Sequence, residues 1–343
     1  MSNTVAKVVL SAGHYHVNHR VPALVAVEQG FFAEEGLPEV EVIATGNDEK
    51  TLAGLAVNAI QFGLDPKPSA VVQASAAGQD VYIIGGWRNQ SNHLFITDGD
   101  IQNIHDLKGK RIGVREVTGC IGGRQIFLFL AKHGLNPDTD VEFVKAPGSS
   151  IHLHAPHLEA GDYSACVISS QHKKEALAKG YNVQATFGEF YPGGYPDRVL
   201  ATNGAMIRDN PAVVESFLRG IIRAYRYIRT PGNHEEALKV IERSGIDPGP
   251  DEDLEKWYTR ERLPGIIFPL NGSCPVVGLA TVIDQEKEQG TIPTDFTVER
   301  VLRPEFVERA NKTLDARPET ADELRRLQAS LRQLGWWRQG VEY

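Results

Sequence analysis

The sequence predicts an α/β protein in two lobes, on three observations. Short apolar runs alternate with amphipathic stretches, the alternation starts afresh after "SNHLFITDGD" (91–100), and 343 residues exceed what one core organises economically. Strand and helix alternating in this way argue for a parallel sheet flanked by helices.

The first lobe opens with "AKVVLSA" (6–12), a buried-strand pattern. A loop carrying His14, His16 and His19 follows, and then "RVPALVAVEQG" reads as one helix with Gly30 as its stop. "VEVIA" (40–44) alternates as a strand, "EKTLAGLAVNA" is helical, "IQFGLD" is a strand ending in a turn, and "PSAVVQASAAG" is an apolar helix closed by Gly78. "VYIIGGW" completes the first β-α-β-α-β series. In the second, "IQNIHDLKGKRIGV" gives a helical turn, a basic turn and a strand, and "TGCIGGRQIFLFLAKHG" gives a glycine-rich loop and a helix. "VEFVKAPGSS", "IHLHAPHLEAGD", "YSACVISS" and "QHKKEALAKG" continue as strand, helix, strand, helix. "RVLATNGAMIRDNPAVVESFLRGIIRAYRYIRT" is a strand leading into a long helix, with Asn210 as cap and Pro211 at the first helical position. Beyond residue 232 the chain is mainly helical and charged.

Composition narrows the function classes. The formal net charge is −8, and no run of Lys or Arg is long enough to track a phosphate backbone, so nucleic acid is not an expected partner. The opening "MSNTVAKVVLSAGHYH" holds one lysine and an apolar stretch shorter than the core of a signal peptide, and no segment approaches a membrane span. A cytoplasmic protein is therefore expected. Cys120, Cys166 and Cys274 are an odd number without C-x-x-C spacing, which predicts free thiols rather than disulfides or a zinc knuckle.

The order of five segments carries a resemblance. "VPALVAVEQGFFAEEGLPEVEV", "FGLDPKPSAVVQASAAGQDVYII", "IHDLKGKRIGV", "HLEAGDYSACVIS" and "DNPAVVESFLRGIIRAYRYI" resemble successive landmarks of the type II periplasmic binding protein superfamily, in its nitrate/sulfonate-binding and thiamine-pyrimidine-synthase-like branch. The likeness spans roughly residues 6 to 230. It implies two α/β lobes with mixed sheets flanked by helices, a discontinuous first lobe (1–91 and 197–343, with a C-terminal helical extension), a second lobe (92–196) and a ligand cleft between them. In open α/β sheets ligands gather beyond the carboxyl ends of strands, where loop amides and helix starts converge. The expected site loops are then Gly13 to His19, Gly46 to Lys50, Asp65 to Lys67, Thr118 to Gly123 and Ser169 to His172.

Within those loops the candidates are weighed residue by residue. Thr118, Gly119 and Cys120 stand at a helix start, where backbone amides favour an anionic group, although Gly122 and Gly123 also suit a merely tight turn. His14, His16 and His19 suit general acid or base work or substrate contact. A metal there needs three or four convergent ligands, and His14 and His16 splay apart if the strand geometry persists, so no cofactor is expected and a metal ion stays the lesser alternative. The same H-x-H-x-x-H spacing at His152, His154 and His157 falls on a helix, where His154 and His157 share a face and His152 points away. Gly13, Tyr15, Asp65 and Lys67 join the ligand set at strand ends, as do Ser169 and His172, while Trp87 and Arg88 wall the pocket or pack the crossover. "YPGGYP" (191–196) reads as the return crossover, and Trp336 and Trp337 as a docking helix end.

Two functions stay open. Aromatic-sulfinate desulfinases, to which the chain is distantly similar, carry a nucleophilic cysteine in an Asn-Cys-Pro-Val-Pro context and an Arg-x-Gly-Gly stretch. The matching segments are Asn18-His19-Arg20-Val21-Pro22 and Gln61-Phe62-Gly63-Leu64, without the cysteine or the arginine. The cysteine-rich iron motif of the thiamine-pyrimidine synthases has no counterpart either, and Lys67 falls near, but not on, their cofactor lysine. One reading is a cytoplasmic lyase or hydrolase acting on a small carboxylated or aromatic substrate, with His14, His16 or His19 as acid or base. The other is a non-catalytic receptor for a small anionic or aromatic ligand, periplasmic and partnered by an importer permease. The absent export signal tips the balance slightly to the enzyme.

Overall fold

The computed structural model describes residues 7–15, 17–37, 39–91, 93–115, 117, 121–148, 151–187, 191, 194–246 and 268–333. The chain divides into two compact units, Met1–Asn89 with Gly193–Tyr343, and Gln90–Pro192. Their elements in chain order are β1 (Val8–Ala12), α1 (Val21–Glu28), α2 (Phe31–Glu34), β2 (Val40–Ala44), α3 (Asp48–Ala56), β3 (Phe62–Gly63), α4 (Pro68–Ala76) and β4 (Val81–Arg88). The second unit holds β5 (His93–Thr97), β6 (Arg111–Val114), α5 (Ile121–Lys132), β7 (Glu142–Lys145), α6 (Ile151–Glu159), β8 (Ala165–Ser169), α7 (Lys173–Ala178) and β9 (Asn182–Thr186). The first unit resumes with β10 (Arg198–Asn203), α8 (Gly204–Asp209), α9 (Pro211–Arg229), α10 (His234–Arg243), α11 (Val276–Glu288), α12 (Val298–Val301), α13 (Pro304–Asp315) and α14 (Pro318–Gln333).

In the first unit a five-stranded sheet runs β2-β1-β3-β10-β4. β1 pairs parallel with β2 and β3, in the register Val8 to Val40 and Leu10 to Phe62. β10 is antiparallel to both neighbours, which makes the sheet mixed rather than wholly parallel. Its two faces are buried separately, as the period of two requires. Val8, Leu10 and Ile84 pack under α1 and α9, whereas Val81, Ile83 and Val199 pack with α4 and α11. The long α9 starts at Pro211, but Asn210, though it holds the cap position, makes no side-chain cap bond. That helix buries Arg226 and Arg229 beside its apolar stripe, where they donate to the Leu270 and Phe268 carbonyls at 3.0 and 3.1 Å.

The second unit's sheet runs β7-β6-β8-β5-β9. The β6 pairs are parallel and the β5 pairs antiparallel. "SNHLFITDGD", which carries no strand assignment in the sequence reading, supplies β5: Leu94 and Ile96 face one core and Phe95 the other. Cys166 and Cys274 are free and buried, as expected. Among the described residues no helix is long and apolar enough to cross a membrane.

Candidate functional site

In the first unit β1, β2 and β3 are parallel, so their carboxyl ends share one edge of the sheet. β4 runs with them, and the antiparallel β10 starts where they end, with Arg198 opposite Arg88. This edge therefore collects Gly13 and His14, Asn47 and Asp48, Asp65 and Lys67, Arg88, and Asp197 and Arg198.

Asp65 is the centre. It is fully buried, accepts the Gly13 backbone N–H at 3.0 Å, and bonds His19 Nδ1. The His19 ring lies 4.6 Å from that of His14. Burial pulls the His19 imidazole down to about 4, against the pull of the Asp65 carboxylate. Burial pushes Asp65 up, but His19, Arg198 and the Gly13 amide outweigh it and hold the carboxyl at about 2. At neutral pH the pair is a carboxylate and a neutral imidazole. Because a carboxylate only accepts, Nδ1 carries the proton and the lone pair sits on Nε2.

A second carboxylate completes the edge. Asn47 caps α3 by accepting the Lys50 N–H at 2.8 Å, which sets Asp48 at the helix start. Asp48 Oδ2 accepts the Lys67 N–H at 3.3 Å and lies 3.6 Å from Arg198 Nη1. Asp48 Oδ1 and His14 Nε2 are buried without a hydrogen-bond partner. His14 is also held below its ordinary value, chiefly by burial and then by Arg198, against Asp65 and Asp48. Arg88 pairs with Asp197 at 2.9 Å, and Trp87 is wholly buried in the core and so is no pocket wall. Tyr15 is 67% exposed, with its carbonyl held by Arg20. His16 lies outside the described residues.

Gly13 is needed for space rather than for a special backbone angle. A Cβ there would collide with the Asp48 carboxylate and come within 3.2 Å of the Asp48 backbone nitrogen. Gly13→Ala is expected to cost about 1–3 kcal/mol of stability through this overpacking and to displace the amide that Asp65 accepts. Chemical denaturation checks it, and an unchanged midpoint counts against the packing account.

The depressed imidazoles give acid sensitivity a definite sign. Folded His19 takes up its proton near pH 4 and the unfolded chain near 6.5, so the unfolded state binds more protons in between and stability falls as the pH drops through that window. His154 in the second unit, lowered to about 4 mainly by burial, acts in the same sense. The Asp65 contribution persists above about 3.8 and is lost as the pH falls toward 2. The urea midpoint is expected to decline from pH 7 to 4.5. His19→Asn, which keeps a donor toward Asp65 but does not titrate, should flatten that decline; an equally steep profile would exclude His19 as a source.

The remaining expected ligands lie in the second unit. Thr118, Gly119 and Cys120 lie outside the described residues. The neighbouring Gly122 packs so closely that a Cβ would stand 3.1 Å from Val167. A cavity of about 80 Å³ opens beyond β6 and β8, lined by His93, Gly113, Arg115, Gly122 and His154 among others. Ser169 ends β8 and His172 sits in the turn after it. The three histidines of α6 go to three places. His154 is buried against the Tyr163 hydroxyl at 2.7 Å and is a core group, while His157 pairs with Asp162 at 2.7 Å and His152 meets Glu175 at 3.3 Å. His154 and His157 do share a face, flanking the Tyr163 ring at 5.8 and 5.7 Å.

Asp48, Asp197 and Arg198 carry no candidate status in the sequence reading. Asp48 falls within the Gly46 to Lys50 loop, and its place after a strand and behind a capping Asn was the available signal. Nothing in a purely parallel reading brings the start of a strand, and so Arg198, to this edge.

Comparison with known proteins agrees with the fold. Residues 17–233 match the family model described as NMT1/THI5 like. The formylaminopyrimidine-binding protein of Halalkalibacterium halodurans is 25% identical over 231 residues, covering 63% of this chain and 64% of that protein. The first curated relatives are matched over only 56 to 64% of their own length. Among solved structures, the periplasmic sulfonate-binding protein SsuA of Methylobacillus flagellatus superposes with a TM-score of 0.67 at 16% identity, covering 91% of this chain and 96% of that one. The desulfurization enzyme DSZB superposes at 0.61 with 15% identity, covering 90% and 99%. The two units, each built on one five-stranded mixed sheet, fit this binding-protein-like fold.

Proposed function

The chain belongs to the NMT1/THI5-like family, and from that premise we propose that it is a solute receptor of the importer type, which binds a small polar molecule without converting it. The observation that carries the reading is the pair of unmet groups on the first unit's strand edge. Asp48 Oδ1 asks for a donor, and His14 Nε2 asks for a partner of its own. Each buried unsatisfied group costs roughly 1–3 kcal/mol, which a ligand bringing N–H or O–H beside an acceptor offsets on binding.

Charge selects among ligands. Asp48 pairs with Arg198 and Arg88 with Asp197, while Asp65 faces Arg198 and the buried Arg20. The unmet Asp48 Oδ1 is an acceptor and repels a bare oxyanion. A nitrogen heterocycle with an amino or amide group fits the donor and acceptor demand better than nitrate or a simple sulfonate. On this reading the protein works outside the inner membrane with a permease as partner, in place of the cytoplasmic setting suggested by its opening residues.

Thermal-shift measurement across a panel of aminopyrimidines, nitrate and alkanesulfonates tests the proposal, since a ligand bound only by the folded state raises the midpoint. Aminopyrimidine-like solutes should raise it in the wild type and not in His14→Ala or Asp48→Asn. Stabilisation by oxyanions alone would overturn the ligand class, and no response to any solute would overturn the receptor reading. The His19–Asp65 pair favours a second reading, an enzyme with His19 as general base, because a neutral imidazole oriented by a buried carboxylate is what that role requires.

A further inference from the structure

In the second unit, α6 and the turn after β8 bring together three side chains that the strand-edge site does not use. His152 stands in the first turn of α6, His172 closes the turn after β8, and Glu175 follows in α7. His172 and Glu175 are three residues apart and share a helical face. His152 Nδ1 lies 3.3 Å from Glu175 Oε1, and the His152 and His172 rings are 5.6 Å apart at 84°. One ligand atom from each of the three lies within 4.8 Å of the others.

We propose that His152, His172 and Glu175 form a binding site for a divalent transition-metal ion of the zinc class. Two imidazoles and one carboxylate are donors that zinc and its neighbours accept, whereas magnesium and calcium favour all-oxygen sets. Zinc bonds of about 2.0–2.2 Å place tetrahedral donors ~3.4 Å apart, so separations of up to 4.8 Å need to close by up to about 1.4 Å. His152 and Glu175 are 64% and 36% exposed at their side chains, so rotation at the surface achieves this without moving the core. The other histidines of α6 are engaged elsewhere, His154 with Tyr163 and His157 with Asp162. Three protein ligands leave the fourth position for water or a small ligand, and the ion would join α6 to α7.

The test is calorimetric titration of tag-free, chelator-treated full-length protein with Zn²⁺ in a magnesium background. One Zn²⁺ should bind per chain. His152→Ala and His172→Ala should each weaken binding at least tenfold, while His157→Ala, on the same helix but outside the set, should leave it unchanged. Circular dichroism on each variant separates lost ligation from lost fold, and Glu175→Gln gives a variant that preserves shape. No Zn²⁺ binding, binding indifferent to His152 and His172, or equal loss in His157→Ala would overturn the proposal. The readout uses neither the organic ligand nor the first unit, so its failure is distinct from failure of the receptor reading.

Discussion

Asp65→Asn is expected to abolish ligand binding and to destabilise the protein by roughly 2–3 kcal/mol, the range for losing a buried hydrogen bond to a charged group. The native carboxylate accepts from two donors at once, the Gly13 amide and His19 Nδ1. An asparagine has one accepting oxygen, and its NH₂ would be turned against one of those donors. His19 then loses its orienting partner, and the loop from Gly13 to His19 loses the contact that fixes it to the end of β3. Binding isotherms and urea denaturation at pH 7 read the two effects separately. If the variant binds as the wild type does, Asp65 is not the organiser of the edge.

Glu35→Ala is expected to have the largest effect on stability alone. Glu35 is buried at the end of α2 and faces Arg219 at 2.5 Å, Arg223 at 3.2 Å and Arg317 at 2.5 Å. Burial pushes its carboxyl up, but the hydrogen bonds from Arg317 and Arg219 outweigh that and hold it below the ordinary value. Removing it leaves three guanidinium groups facing each other, and loss of one buried partner typically costs 3–5 kcal/mol. At about 2–4 °C per kcal/mol for a domain of this size, a fall of roughly 10 °C in midpoint follows. Scanning calorimetry checks it. Because Glu35 lies away from the strand edge, the surviving folded protein should bind ligand normally at 15 °C; a shift below about 2 °C would deny the cluster its structural role.

Some of this was legible in the sequence and some was not, for physical reasons. The first strand-to-helix junction was readable because loops after parallel strands must share an edge. Gly13, His14, His19, Asp65 and Lys67 therefore gather in the first unit from two separate stretches. The buried-strand run "VVLSA", the alternation in "VEVIA" and the Pro211-started helix of α9 located the sheet and its cover. Helical spacing likewise separated His152 from His154 and His157, although it gave no sign that His152 would meet His172 and Glu175 across a strand and a turn. Arg198 was hidden because an antiparallel strand inserted between β3 and β4 leaves no mark in local pattern. Glu35 and its three arginines were hidden for a related reason: each looks like a solvated charge on its own helix or turn, and only the packing of α2, α9 and the turn between α13 and α14 turns them into one buried cluster. The desulfinase comparison was instructive at His19. By the resemblance to those enzymes it falls at the place of their cysteine, yet its neutral, Asp65-bound state serves a hydrogen-bonding role as readily as a catalytic one.

Whether the bound solute leaves unchanged is the most direct test of the receptor reading. The solute that raises the midpoint most is incubated for a day with stoichiometric protein at pH 7, released by denaturation, and weighed by mass spectrometry against a no-protein control. Quantitative recovery of the original molecule, with recovery identical for wild type and His19→Asn, is the predicted result. A product that accumulates with the wild type and disappears with His19→Asn would contradict it and establish His19 as a general base instead.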